Sequence, residues 1–238
     1  MILLNTKFLF LNYKRIWFAS SLPKKSIFDL ISLRQYKGTA PSGWHERKFT
    51  TLFTDLTEDE AALLKKIAKN TTYEIKRAER EGVIATVDSI ENFRIFFNDF
   101  APTKGLKKLS RKNIASYKSF TIVTKAELNN QALAMHAYLV DADDGRARLL
   151  YSATINRITE HTDLNLIGRA NRLLHWKDML LFKSHGIKIY DWGGIAGEPD
   201  NPKTSGIDAF KQHFGGYPVT ENHYDDARLT FLKKILSH

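Results

Sequence analysis

In IKIYDWGGIAG, residues 187–197, a strand-like run ends on an acid, an indole and two glycines. Asp191 would stand at the carboxyl end of a strand, the sheet edge where α/β proteins bind ligands. Gly193 and Gly194 would tolerate positive φ and let another chain or a ligand approach the backbone. A turn in which the Asp191 carboxylate merely accepts backbone N–H groups accounts for the same residues, and both readings stand. Tyr190 and Trp192 flank the acid on the opposite strand face, where core packing competes with ligand contact. His136 lies between Met135 and Ala137 in another strand-like run and could face the same site, although a single strand histidine is more often a satisfied structural one.

These side chains need a sheet, and the composition provides for one. The chain has 238 residues, 43 % of them hydrophobic, ample for a sizeable core. Thirty-six Lys and Arg against 26 Asp and Glu give a formal charge of +10, which favours an anionic partner: a phosphate-rich cofactor, nucleic acid or a membrane surface. The absence of cysteine excludes disulfides, thiolate metal sites and a covalent cysteine intermediate, with a cytoplasmic location as the default. The histidines show no spacing that suggests a metal site. The apolar start is interrupted by Lys7, Asn12, Lys14 and Arg15 and reads as paired strands rather than as a leader, and no run reaches membrane-spanning length.

Residues 1–48 read as an irregular β-rich segment packing on the core, with Phe8–Leu11 and Arg15–Ala19 as candidate strands. A domain over 49–238 follows, and the two are expected to form a single structural domain overall. Phe49–Asp55 alternates like a strand, and Thr57 with Glu60 predicts a capping box opening one long helix that Gly82 stops. Lys65, Lys66, Lys69, Lys76, Arg77 and Arg80 lie along it with Glu74, Glu79 and Glu81 interleaved, a pattern that suits a solvated, ion-paired face or an anion-binding one. After a short strand over 83–87, a helix over 90–100 and a linker over 102–112 come three runs, 120–128, 131–140 and 146–155. Asn129-Asn130 and the turn 141–145 join them into an antiparallel meander. Residues 166–185 predict a helix stopped by Gly186, followed by the strand 187–192, a short helix over 206–215, a strand over 217–220, and a basic amphipathic helix over 227–238. The order implies a mixed, mostly antiparallel sheet with helices on both faces, an α/β (mixed α+β) fold.

Three blocks, NTTYEIKRAEREGV (70–83), LLHWKDMLLFKSHGIKIYDWGG (173–194) and GIDAFKQHFGG (206–216), together resemble the FemAB-like branch of the GNAT acyltransferase superfamily, over roughly residues 48 to 224. The resemblance implies a GNAT-like fold in which two parallel strands, here 146–155 and 187–192, splay to admit the donor's extended arm, and in which the helix near Leu166 points its N-terminus at a pyrophosphate. Asn165-Leu-Ile-Gly168-Arg169-Ala170 is similar to the family's phosphate turn, with Asn at the first position. Asn171, Thr154, Ile155 and Phe210 complete the implied donor site. Lys211 after Phe210 resembles the Phe-Lys pair that Fem transferases set beside the reacting carbonyl, where it would bind the donor or stabilise an oxyanion.

The implied activity is N-acyl transfer from acetyl-CoA or another acyl-CoA to an amine, an amino sugar or other precursor of a cell-surface polysaccharide or envelope, without a metal. Such transfer needs a neutral amine, and Asp191 is the first candidate for the base or amine-orienting acid, with His136 second. Tyr190, Trp192, Tyr151 and Trp44, the last from the stretch 44–47, are candidates for the acceptor pocket. Aminoacyl-tRNA is the alternative donor, although Fem enzymes typically carry two tandem GNAT-like domains and often a helical arm. A basic, non-catalytic nucleic-acid-binding protein is the reading from another class, and peripheral contact with the inner face of a membrane accompanies the first.

Overall fold

The computed structural model describes residues 1–8, 10–39, 41–155, 163–195 and 202–236. The chain forms two compact units, Met1–Thr51 with Pro218–His238, and Leu52–Tyr217. The C-terminal segment from Pro218 therefore groups with the opening residues, a division different from the one at residue 48 that the sequence implies. No described helix is long and apolar enough to cross a membrane.

In the first unit, β1 (Ile2–Phe8), β2 (Leu11–Trp17), β3 (Asp29–Tyr36), β10 (Tyr217–Asp225) and the start of β4 (His45–Asp55) lie side by side in that order. Of the run 8–11, read as one strand, Phe8 ends β1, Phe10 lies in a turn and Leu11 opens β2, while residue 9 lies outside the described residues. β3 escaped the sequence because nearly all its residues are buried, and a strand buried on both faces loses the alternation that marks one. α7 (Ala227–Leu236) is fastened at its start, where Asp226 accepts the Leu229 amide at 2.8 Å, and by Lys233 on the buried Asp225 at 2.6 Å.

In the second unit the order is the end of β4, then β9 (Ile189–Gly194), β8 (Arg146–Thr154), β7 (Gln131–Asp141), β6 (Thr121–Leu128) and β5 (Ile84–Asp88). β6, β7 and β8 form the expected antiparallel meander. Asn129 and Asn130 both adopt positive φ, 51° and 63°, as the two-residue turn that matches strand twist demands. α5 (Leu164–Ser184) crosses from β8 to a parallel β9. Because strand side chains alternate, His136 and Tyr138 of β7 face α5, while Met135 and Ala137 join the second core cluster with Phe93 and Phe97 of α3 (Ile90–Phe100). The linker over 102–112 contains the start of α4 (Arg111–Ala115), capped by Ser110.

The single long helix over 57–81 is two helices, α1 (Glu60–Lys66) and α2 (Lys69–Arg80). Asp59 is the N-cap, accepting the Ala62 amide at 2.8 Å. Thr57 is instead held by the Asp55 carboxylate, to which it donates both its amide and its hydroxyl. The break comes from outside the helix. The turn after α6 (Pro202–Gln212) crosses it: the Ala68 amide donates to the His213 carbonyl at 2.8 Å, and a Cβ on Gly215 would lie 2.6 Å from the Lys66 carbonyl oxygen.

Candidate active site

β8 and β9 are paired only over Arg146↔Ile189, Ala147↔Tyr190 and Arg148↔Asp191, yet β8 runs on to Thr154. The ladder stops at the acid singled out in the sequence. A bulge follows at once in β8: Tyr138 of β7 faces Leu149 and Ala137 faces Tyr151, leaving Leu150 as the extra residue. Bulges bend a strand and re-aim its side chains, so β8 leaves β9 at a fork. Gly193 sits in it with φ +71°, where a Cβ would come 2.9 Å from the Leu149 carbonyl oxygen. The glycine is therefore required by the close approach of β8.

Asp191 is fully buried. Its Oδ2 accepts Arg146 Nη2 at 2.6 Å and Nε at 3.1 Å, and its Oδ1 accepts the Gly193 amide at 2.9 Å. Arg148 Nε lies 4.0 Å from the same carboxylate. Both carboxylate oxygens hold the turn, which is the geometry of a positioning group and not of a base open to an incoming amine. Two arginines spaced i, i+2 share one face of a strand, and an Arg-x-Arg at the start of a strand-like run was the signal by which Arg146 and Arg148 could have been found.

Lys211 in the last turn of α6 reaches the fork and donates its Nζ to the Gly194 carbonyl at 2.6 Å. Burial pulls its pKa down to about 8; Arg148 pushes in the same direction, while Asp208 and Asp191 oppose. Phe210 beside it packs on His175, with ring centres 5.5 Å apart, and carries the Arg172 guanidinium at 5.3 Å. Lys211, Arg148 and the backbone of Gly193-Gly194 thus converge where the parallel strands part.

His136 points away from the fork, into a polar network under α5. Its Nδ1 meets Asp178 Oδ2 at 2.8 Å and its Nε2 meets Asn171 Oδ1 at 2.9 Å. The Tyr138 hydroxyl donates to Asp178 at 2.6 Å and contacts the Tyr190 hydroxyl at 2.6 Å, which in turn meets His175 Nδ1 at 2.7 Å. Burial first, then the Asp178 charge, raises the pKa of both tyrosines, and burial lowers that of His175, so the hydroxyls and the His175 ring are neutral. The sequence spacing gave no hint that His136, His175 and Asp178 bring ligand atoms within 4.8 Å of one another. The His136 nitrogens and the Asp178 oxygen are engaged by hydrogen bonds, and the two imidazoles stack with centres 4.0 Å apart, a poor geometry for pointing both lone pairs at one ion. Tyr190, Asn171 and His136 are core members of this network, and Trp192, fully buried with its Nε1 on Thr54 Oγ1 at 3.0 Å, is a core residue as well.

The implied phosphate turn is not a turn. Asn165, Gly168, Arg169 and Ala170 lie within α5, whose N-cap is Asp163. Asp163 Oδ1 accepts the Asn165 amide at 2.8 Å, and this bond, followed by the Leu166 amide and Arg169, lowers its pKa. Arg169 is buried between Glu81 at 2.8 Å and Asp163 at 3.2 Å, and Ala170 is fully buried. The donors that a pyrophosphate would use are thus engaged by the chain's own acids. Thr154 and Ile155 lie at the far end of β8, past the fork, with the Ile155 amide donated to the Leu133 carbonyl at 2.9 Å.

Tyr151, next to the bulge, packs on Phe97 with centres 5.3 Å apart and lines a small apolar pocket with Leu150, Phe93, Tyr117 and Asn113. Trp44 belongs to the first unit, where Lys25 Nζ lies 5.5 Å from its ring centre.

The forked parallel pair, the crossover helix between its strands and the meander before it make up a GNAT-like fold, the fold class that the three sequence blocks implied. Among solved structures, FemX superposes with a TM-score of 0.61 at 12 % identity, over 79 % of this chain and 64 % of FemX, so the chain spans less than two thirds of that protein. The C-terminal domain of a protein described as a lysylphosphatidylglycerol synthetase, from Agrobacterium fabrum, also gives 0.61 at 12 % identity, over 98 % of this chain and 85 % of that one. L-PGS from Bacillus licheniformis gives 0.56 at 9 % identity, covering 99 % and 84 %. No protein-family model matches the sequence, and no curated protein does.

Proposed function

We propose that the chain is an acyltransferase that moves an acyl or aminoacyl group onto an amine at the fork between β8 and β9. The observation that carries the reading is the end of the parallel ladder at Arg148↔Asp191 with the Lys211 ammonium beside it on the Gly194 carbonyl. A donor arm lying along β8 beyond Arg148 would bring its carbonyl to Lys211 and Arg148. The amine nitrogen attacks that carbonyl carbon, a C–N bond forms, and negative charge gathers on the oxygen. Two cations in a half-buried site stabilise that charge more than water would. The C–S bond of a thioester or the C–O bond of an ester then breaks, and the proton lost by the amine leaves with the thiol or hydroxyl group. Asp191 takes no proton in this scheme: it holds Arg146 and the Gly193 amide and so fixes the fork.

The resemblance supplies the acceptor class, an amino sugar or another amine precursor of a surface polysaccharide or envelope, and the absence of cysteine makes a cytoplasmic location the default. Acetyl-CoA is the donor first expected. Capping of α5 by Asp163 and burial of Arg169 favour the second donor, an aminoacyl-tRNA ester, whose reacting end needs no pyrophosphate seat on that helix. Incubation of the protein with radiolabelled acetyl-CoA or with charged tRNA, each with a panel of amino sugars and short amine-bearing peptides, tests the reading. Label recovered in amide linkage to an acceptor supports it and identifies the donor. Hydrolysis alone, or no consumption of either donor, contradicts it.

A further inference from the structure

α2 carries a dense positive charge that the transfer reading does not use. Thr71, Ile75 and Ala78 are its buried positions. Diametrically opposite, at the spacing of one helical face, stand Lys69, Tyr73, Lys76 and Arg80, all exposed, Tyr73 by 52 %. The acids of this helix and its cap lie off that line, and ion pairs occupy two of them: Glu79 with Lys177 at 2.7 Å, and Glu81 with Arg77 at 2.9 Å and Arg169 at 2.8 Å. Among the described residues, Lys69, Lys76 and Arg80 have no carboxylate within ion-pair distance. At the helical rise per residue they span about 16 Å. The result is a row of uncompensated cations with one exposed aromatic ring between them.

We propose that this face docks a single strand of nucleic acid, with phosphates on Lys69, Lys76 and Arg80 and an unpaired base stacked on Tyr73. A stripe of cations tracks a phosphate backbone, and an exposed ring accepts any base that is free of a partner, which a duplex does not offer. A lipid surface is a poorer fit, because a helix that lies in a membrane interface needs an exposed apolar face, and the apolar face of α2 is buried. The inference stands apart from the chemistry at the fork, since a strand can dock here whether or not Lys211 takes part in transfer.

Fluorescence anisotropy with short labelled oligonucleotides, single-stranded and duplex, tests it, with phosphatidylserine vesicles as a separate arm. The wild type should bind single strands, and log K should fall with log salt at a slope of about −2 for three phosphate contacts. Triple replacement Lys69→Glu, Lys76→Glu and Arg80→Glu should weaken binding more than tenfold. The same charge change at the exposed Lys104, Lys107 and Lys108 should leave it nearly unchanged. Tyr73→Ala should cost about tenfold without altering the salt slope, the mark of lost stacking. Absence of single-strand binding, equal loss in both triple variants, or preference for duplex or vesicles over single strands would overturn the proposal.

Discussion

Lys211 and Gly194 are joined by a 2.6 Å hydrogen bond, from the ammonium to the backbone carbonyl, and that bond hangs a cation of lowered pKa over the end of β9. Its titration gives a first prediction. If charged Lys211 stabilises the oxyanion, the rate should fall as pH rises through about 8, the pKa to which burial brings it. Lys211→Arg, whose guanidinium stays charged, should lose that falling limb. Stability should run the other way. Between about 8 and the ordinary value of 10.5, the unfolded chain holds a proton on this lysine that the folded chain has lost. Stability should therefore rise with pH across that window, and denaturant midpoints of wild type and Lys211→Met, compared at pH 7 and 10, check it.

Asp191→Asn should act through the fold. The change leaves Arg146, 1 % exposed, without its buried counter-ion, and breaking such a pair costs about 3–5 kcal/mol. We expect a large drop in melting temperature. An unaltered melting temperature with a turnover loss above tenfold would return Asp191 to the chemistry.

Gly193→Ala combines positive φ with a Cβ 2.9 Å from the Leu149 carbonyl oxygen. Holding a non-glycine residue in that region costs about 1–3 kcal/mol, and the contact would drive β8 and β9 further apart. Melting temperature and activity should fall together. The adjacent Gly194 does not adopt positive φ, so Gly194→Ala should be milder in both readouts.

Asp163→Ala removes the carboxylate that caps α5 and pairs with Arg169. If the acid obstructs a pyrophosphate seat, calorimetry should show acetyl-CoA bound more tightly by the variant than by wild type. Weaker binding by the variant would show that Asp163 supports donor binding.

Much of the scaffold was legible because its signals are local. Strand-like runs and the Asn129-Asn130 turn marked the meander, and the stretch 90–100 read as a helix with the limits that α3 shows. What was not legible depends on distant residues. Nothing in the stretch 57–81 announces a break that Gly215 and His213 impose on Lys66 and Ala68. At the site, the strand was expected to end with Asp191 and Trp192, whereas β9 runs on through both glycines and only its ladder with β8 stops at the acid; the partner that decides the acid's role, Arg146, lies 45 residues away. Lys211 was reached through resemblance alone, because a lysine on a short helix looks like any exposed lysine until its bond to Gly194 is seen.

The most direct test of the fork as the reaction centre is a single-turnover rate with whichever donor the wild type accepts, measured for wild type, Lys211→Ala and the surface control Lys108→Ala. We expect Lys211→Ala to lose more than tenfold in rate with its melting temperature unchanged, and the control to match wild type. Wild-type rates in Lys211→Ala would place the chemistry away from the fork and contradict the proposed function.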